Sequence, residues 1–315
     1  MPFSAPADII RLAPGSPLRA NNAKVRRRFM IQLFTDTSAN LSLETVRKLA
    51  LTVVPFSYSV NGAEATPEVL ADFDGKAFYD AMRNGAVVKT AMIGIGTFLD
   101  AFRPVLEAGD DILYVAMSGG ISGTYNAAML AANELLESFP ERRIAVIDTY
   151  AASLGEGLLV LKAAELLRAG KSLDETVQTL CELREHMCQY FTVDDLEYLK
   201  RGGRISRVAS VVGTVLRIKP LLTGNAEGKI VLCGKCRGRK QSLSALADYY
   251  EKKVISKAEN IAIADADDPE GTKLLLAELR SRGFTGECMT ACYEPVTGAH
   301  VGPGTVALFF FGTEK

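Results

Sequence analysis

Ile112-Leu113-Tyr114-Val115-Ala116-Met117, followed by Ser118-Gly119-Gly120-Ile121-Ser122-Gly123-Thr124-Tyr125, reads as a strand ending in a hydroxyl- and glycine-rich turn. Residues 126–136 then carry a helical pattern. Strand, turn and helix in that order are the repeating unit of a parallel sheet. The first N–H groups of a helix lack internal partners and carry partial positive charge, so such a turn accommodates a carboxylate or phosphate without a lysine. Ser118, Ser122 and Thr124 put three hydroxyls around that spot. Serine, threonine and glycine are equally common in an ordinary strand-to-helix connection, and the segment by itself leaves both readings open.

Outward from this turn, short apolar runs alternate with amphipathic ones. Strands are predicted at 31–34, 53–60, 112–117, 144–147 and 190–193. Phe98, Phe102, Val105 and Leu106 form one helical core stripe, and Leu154, Leu158 and Leu161 another. A third helix is predicted over 173–187 and a fourth over 194–201. The fold class is therefore α/β with two α/β domains. The first, 28–201, has a mostly parallel sheet flanked by helices; the second, 202–315, is a smaller α/β sheet domain beginning where Gly202-Gly203 lets the chain turn. The second domain is predicted to hold a helix over 207–216, a hairpin through 225–228 and a helix over 241–253. A strand at 261–264, a helix opened by Asp268-Pro269-Glu270, and strands at 288–292 and 306–311 complete it. Residues 1–27, with Pro2, Pro6, Pro14 and Pro17, read as a flexible N-terminal extension.

A chain of 315 residues with 48% hydrophobic content can bury a large core, and its net charge of −1 gives no electrostatic reason to expect nucleic acid. No apolar run reaches the roughly 20 residues needed to cross a bilayer, and no secretory signal is visible. The expectation is a cytoplasmic protein without stable membrane insertion. Among six cysteines, Cys233-Gly234-Lys235-Cys236 has the spacing of half a zinc site or a redox pair. No second C-x-x-C accompanies it, the only histidines are His186 and His300, and the motif follows a predicted strand rather than opening a helix. Buried reduced thiols are the reading adopted, with no metal and no cofactor.

Five segments resemble, in order, motifs of the DegV family of bacterial fatty-acid-binding proteins. The turn carries its Ser-Gly-Thr-Tyr signature, and Phe34-Thr35-Asp36-Thr37-Ser38-Ala39-Asn40-Leu41 is similar to its opening motif, with Asn40 where the family usually has aspartate. Val53-Val54-Pro55, Leu199-Lys200-Arg201-Gly202-Gly203-Arg204-Ile205-Ser206 and Gly298-Ala299-His300-Val301-Gly302-Pro303-Gly304 follow. The resemblance runs from about Met30 to Gly312. It implies a non-enzymatic carrier that binds a long-chain fatty acid in a buried apolar tunnel and presents its carboxylate to a separate fatty acid kinase, which makes an acyl phosphate.

The resemblance further implies that Thr90 and Ser122 bind the carboxylate. Ser118, Gly119 and Gly123 of the same turn, and His300, are expected beside them. Lys89-Thr90-Ala91-Met92-Ile93-Gly94 departs from the family's Thr-Ser-Gln-Pro-Ser, losing a hydroxyl and a proline. Arg204, Arg237 and Arg239 match partner-facing positions; Arg204 and Arg239 also read as plain surface charge. In a parallel sheet, ligands collect at the carboxyl ends of the strands, so the loops 36–39, 89–91, 118–125 and 149–153 are expected on one rim. A serine-dependent acyl- or phosphoryl-transfer enzyme using Ser118 or Ser122 is the alternative. It requires a base on that serine, and the chain has no G-x-S-x-G elbow, P-loop or dinucleotide fingerprint.

Overall fold

The structure, a computed structural model, describes residues 9–10, 30–65, 73–205 and 218–314. Strand β7 (Asp111–Ala116) carries the run that opened the sequence reading. Its Ile112, Tyr114 and Ala116 enter one apolar cluster while Leu113 and Val115 enter another, as a strand covered on both faces requires. It is central to a five-stranded sheet of order β1 (Ile9–Ile10), β8 (Ile144–Asp148), β7, β2 (Ile31–Asp36), β3 (Thr52–Val54). All neighbours are parallel except β1, which pairs antiparallel with β8. Of the extension expected at 1–27, only this strand is described.

The single strand expected at 53–60 is two. Pro55 has no N–H to give to a ladder, so β3 ends at Val54, and β4 (Ser57–Val60) leaves the parallel sheet. It pairs antiparallel with β5 (Ala63–Ala65) and β6 (Val88–Ala91) in a small separate sheet. Helices α1 (Leu43–Leu49) and α2 (Gly75–Arg83) flank these strands in sequence. Both are capped by side chains that take up first-turn N–H groups, Ser42 and Asp74.

On one face of the parallel sheet lie α3 (Ile95–Glu107) and α4 (Thr124–Ser138), with Phe98, Phe102 and Leu106 forming the expected stripe. The other face packs α5 (Leu154–Arg168) and α6 (Leu173–Arg184). A capping box of Ser172 and Glu175 starts α6, and the helix expected to continue to 187 ends at Arg184. The chain there enters β9 (Met187–Thr192), which the sequence reading grouped with the first sheet. It belongs to the second. The order there is β11 (Ile230–Arg237), β10 (Ile218–Gly224), β9, β14 (Val306–Phe311), β12 (Ile261–Asp265), β13 (Cys288–Cys292). The second sheet thus begins before the glycine pair, which instead follows the short helix α7 (Glu197–Arg201). The helix expected at 207–216 lies outside the described residues.

Helices α8 (Arg239–Lys253) and α9 (Pro269–Ser281) cover the far face of the second sheet, and α10 (Pro295–Val301) precedes β14. The near face, through Met187, Phe191, Leu222, Ala264 and Phe309, shares one apolar cluster with α5 and the first sheet. Helix α5 is therefore buried between two sheets, and the slot described next opens at its N-terminal end. No helix among the described residues is long and apolar enough to cross a membrane.

Candidate ligand-binding site

The turns after β7 and β8, the β4–β6 sheet, α10 and the near face of the second sheet enclose about 770 Å³ of empty space, mouth included. A water molecule's centre can occupy only about 70 Å³ of it, so the space is a narrow slot. Phe56, Met117, Ile121, Phe191, Val296 and Phe309 supply apolar walls. Thr90, Ser122, Arg204 and His300 supply polar ones. The first two come from the loops that the sequence placed on one rim. The 36–39 loop does not line the slot.

Lys89, Thr90 and Ala91, expected in a loop, belong to β6, where Thr90 pairs with Tyr58 of β4. His300, expected in a turn-rich loop, sits in the last turn of α10. Pro295 starts that helix, and the Glu294 carboxylate accepts the N–H groups of Val296 and Thr297, both at 2.6 Å. This brings His300 Nε2 to 2.8 Å from Thr90 Oγ1. Burial, then the charge of Arg204, pulls the imidazole pKa down to about 4, so His300 is neutral near pH 7. Gly202 is what lets the ring fit: a Cβ there would lie 2.2 Å from His300 Nδ1.

Arg204 is held at the same corner. Its Nε donates to the Ile121 carbonyl at 3.0 Å and Nη1 to the Gly202 carbonyl at 2.5 Å. Burial lowers its pKa, and no carboxylate pairs with it among the described residues. A desolvated cation without a counter-ion is costly by itself and favourable once an anion joins it.

The signature turn divides its labour. Ser122 lines the slot, and its hydroxyl exchanges hydrogen bonds with Thr124, donating to Thr124 Oγ1 at 3.0 Å and accepting the Thr124 N–H at 3.3 Å. Ser118 does not line it. Fully buried, Ser118 Oγ donates to the Gly228 carbonyl at 2.9 Å and accepts the Gly120 N–H at 3.1 Å, tying the turn to the β10–β11 hairpin. Gly228 is required at that contact, since its φ is +67° and a Cβ would fall 2.0 Å from Ser118 Oγ. The Gly119 N–H, expected to face an anionic ligand, already meets the protein's own Asp148 carboxylate at 3.1 and 3.2 Å. Gly123 lies under Met92, whose sulfur would be 2.5 Å from a Cβ there. Neither glycine lines the slot.

Arg237 is exposed at the end of β11. Arg239 is not free to face a partner: it pairs with Asp268 and reaches Asp194 at 3.8 Å. The Cys233 and Cys236 thiols are both pushed up by burial, the opposite of a reactive thiolate. No group of three His, Cys, Asp or Glu side chains able to hold a metal occurs among the described residues.

Behind the slot, the 36–39 loop builds something the sequence reading missed. Asp36 accepts from Tyr114 Oη at 2.6 Å, the Ser38 N–H at 2.9 Å and Ser38 Oγ at 2.5 Å. Glu156 of α5, fully buried, lies 2.7 Å from Ser38 Oγ and 3.1 Å from Thr35 Oγ1. Burial, then the charge of Asp36, raises the Glu156 pKa well above the ordinary carboxyl value. The hint in the sequence is an acid between two glycines directly ahead of the apolar run Leu158-Leu159-Val160-Leu161, Gly155-Glu156-Gly157.

Two α/β layers clasp a narrow apolar slot, with a neutral polar corner and, at one side, a cation that no carboxylate pairs with among the described residues. The DegV family model, whose members are described as uncharacterised, matches residues 30–313, and the chain belongs to that family. A DegV domain-containing protein of Clostridium perfringens is 37% identical over 284 residues, covering 90% of this chain and 98% of that one. The solved structure of a DegV family protein from Thermus thermophilus, described as fatty acid binding, superposes with a TM-score of 0.79 at 32% identity, covering 90% of this chain and 100% of that one. A stearic acid-binding protein from Eubacterium ventriosum superposes with a TM-score of 0.77 at 25% identity, covering 89% of this chain and 97% of that one.

Proposed function

We propose that this chain is a cytoplasmic carrier of a long-chain fatty acid: the tail fills the slot, and the carboxylate sits at the corner of Thr90, Ser122, Arg204 and His300. The observation that carries the reading is the join of an apolar slot to a half-buried guanidinium that has no counter-ion among the described residues. Burying a tail contributes roughly 0.8 kcal/mol per methylene, so a dozen give about 10 kcal/mol before association and ordering costs. Affinity therefore need not come from the charge. Hydroxyls and a single partly committed arginine hold a carboxylate without a bidentate clamp on both oxygens, which leaves an oxygen open to a second protein. That suits presentation to a fatty acid kinase, with exposed Arg237 as a candidate contact.

The serine-enzyme alternative draws no support from Ser118 or Ser122, because their hydroxyls donate to the Gly228 carbonyl and Thr124 Oγ1 rather than to a base. The test is to denature the purified protein, extract it with organic solvent and identify released molecules by mass spectrometry. One long-chain acid at close to one per chain is expected. A protein that yields none, and that binds none after delipidation, refutes the reading.

A further inference from the structure

The lining of the slot stops abruptly on the side away from the Thr90–His300 corner. Strands β9 and β14 both meet that corner at one end, since β9 leads through Val193 into α7 and β14 follows α10. Going away from it, their paired residues on the near face are Phe191 with Ala307, Gln189 with Phe309, and Met187 with Phe311. Phe191, Gln189 and Phe309 line the slot, whereas Met187 and Phe311 do not. Gly224 and Ile230, paired across β10 and β11, also line it and continue the Gln189 row. The slot therefore ends at this row, about 10 Å along β14 from its start at Val306.

Gln189 is the polar member of the row, and it is tied across the gap between the two layers. Its Nε2 donates to the Tyr150 carbonyl, in the turn after β8, at 2.7 Å. That acceptor is fixed in place. Tyr150 has φ 53°, in the left-handed region, its N–H is taken up by Asp148 Oδ1 at 2.9 Å, and the Arg184 guanidinium lies 4.4 Å from its ring centroid. Room for the amide depends on Gly224, where a Cβ would lie 2.4 Å from Gln189 Nε2. A tail that reaches this row meets a side chain filling the end of the slot and held there by a hydrogen bond. To advance further it must swing the amide aside and break that bond.

We propose that Gln189 is the end stop of the slot and sets the longest acyl tail the protein accepts. The proposal rests on the fatty-acid reading and adds the property of the ligand that this chain selects, tail length. The filled volume is the stop, and the bond to Tyr150 keeps it from turning away.

The test measures dye displacement from delipidated wild type, Gln189→Ala and Gln189→Leu by laurate, myristate, palmitate, stearate and arachidate. Wild-type affinity is expected to rise along the series as methylenes are buried, then to fall about tenfold or more at the first acid past the stop. Gln189→Ala removes the bulk and should bind that acid at least as tightly as the one before it. Gln189→Leu keeps the bulk without the tie and should fall at the same acid as wild type, less steeply. An unchanged limit in Gln189→Ala overturns the stop. So does an equal shift of the limit in both variants, which traces it to a loosened contact between the layers. If the alanine variant does not fold, Gln189→Asn, shorter by a methylene, carries the test: it should bind the first excluded acid more tightly than wild type, and no gain overturns the stop. Wild-type affinity that never falls along the series also overturns the stop and leaves the fatty-acid reading intact. Wild type that binds none of the series overturns both.

Discussion

Replacing Glu156 by glutamine should cost little stability in mild acid and raise stability at neutral pH relative to wild type. The reason is a count of protons. Ser38 Oγ has one hydrogen and lies against two carboxylates, Asp36 at 2.5 Å and Glu156 at 2.7 Å. Thr35 Oγ1 has one hydrogen and lies at 3.1 Å from both the Val115 carbonyl and Glu156. Four acceptor contacts share two protons, and a protonated Glu156 supplies the third. Asp36, which also takes Tyr114 Oη and two N–H groups, is then the ionised partner. Because the folded pKa of Glu156 lies above the unfolded value, the folded chain keeps a proton that the unfolded chain releases. Stability from this group is complete below the unfolded pKa and falls as pH rises through the folded one, by about 1.4 kcal/mol per pH unit. Glutamine keeps a donor for Ser38 and an acceptor for Thr35 but cannot ionise. Urea denaturation of both proteins from pH 5 to 8 should therefore show a gap that widens in favour of the variant as pH rises. A constant offset across that range, or a loss above about 3 kcal/mol at pH 5, refutes a neutral Glu156.

His300 works in the opposite sense: with its folded pKa lowered to about 4, it withdraws stability as pH falls from its ordinary 6.5, up to about 3 kcal/mol over the window. An NMR titration of the ligand-free protein should find its ring neutral at pH 6, and a midpoint near 6.5 would contradict the buried corner. Gly202→Ala should push the imidazole off Thr90, because the new methyl would occupy the space 2.2 Å from Nδ1. A loss of about 1–3 kcal/mol in stability, with weaker fatty acid binding in a dye-displacement assay, is expected, and unchanged binding would show that the Thr90–His300 contact is dispensable. A fluorophosphonate probe should leave the protein unmodified by intact-mass analysis, and stoichiometric labelling of any serine would restore the enzyme reading.

The elements that the sequence revealed are those buried on both faces. Strands β7 and β14 read as continuous apolar runs because each alternate residue meets a different cluster: Leu308 and Phe310 face α8 and α9, while Ala307 and Phe309 face α5. The same property hid which sheet β9 joins, since a strand covered on both sides carries no mark of its neighbours. Strand β6 and helix α10 were illegible for another reason. Val88-Lys89-Thr90-Ala91 is short and of mixed polarity, and α10 has 7 residues rich in turn formers. Their conformations are fixed by β4 and by the Glu294 cap rather than by local preference. Arg204 was named from its motif, but its lack of a counter-ion among the described residues is a property of the assembled corner and has no one-dimensional trace.

Ser153 illustrates how far a backbone feature can go without chemistry. It sits between β8 and α5 with φ 53° and ψ −140°, a strained strand-to-helix bend like the one that carries the nucleophile in α/β-hydrolases. A search for G-x-S-x-G passes over it because Ala151 stands where that motif has glycine; Ala151-Ala152-Ser153-Leu154-Gly155 needs only small residues at its ends. A Cβ on Gly155 would touch that of Ala151 at 3.3 Å, so the bend closes with a methyl on one side and none on the other. Ser153 is buried and lines the slot, yet among the described residues the side chain that hydrogen-bonds it is Asn40, at 3.4 Å, while His300 is engaged with Thr90. A serine at such a bend becomes a nucleophile only when a base is within reach. Here the strain is held by packing against the second sheet, where a Gly155 Cβ would meet Phe309 at 2.9 Å. Its structural consequence is to turn the chain sharply enough that α5 starts at the wall of the slot, which Ala151, Ala152 and Ser153 line.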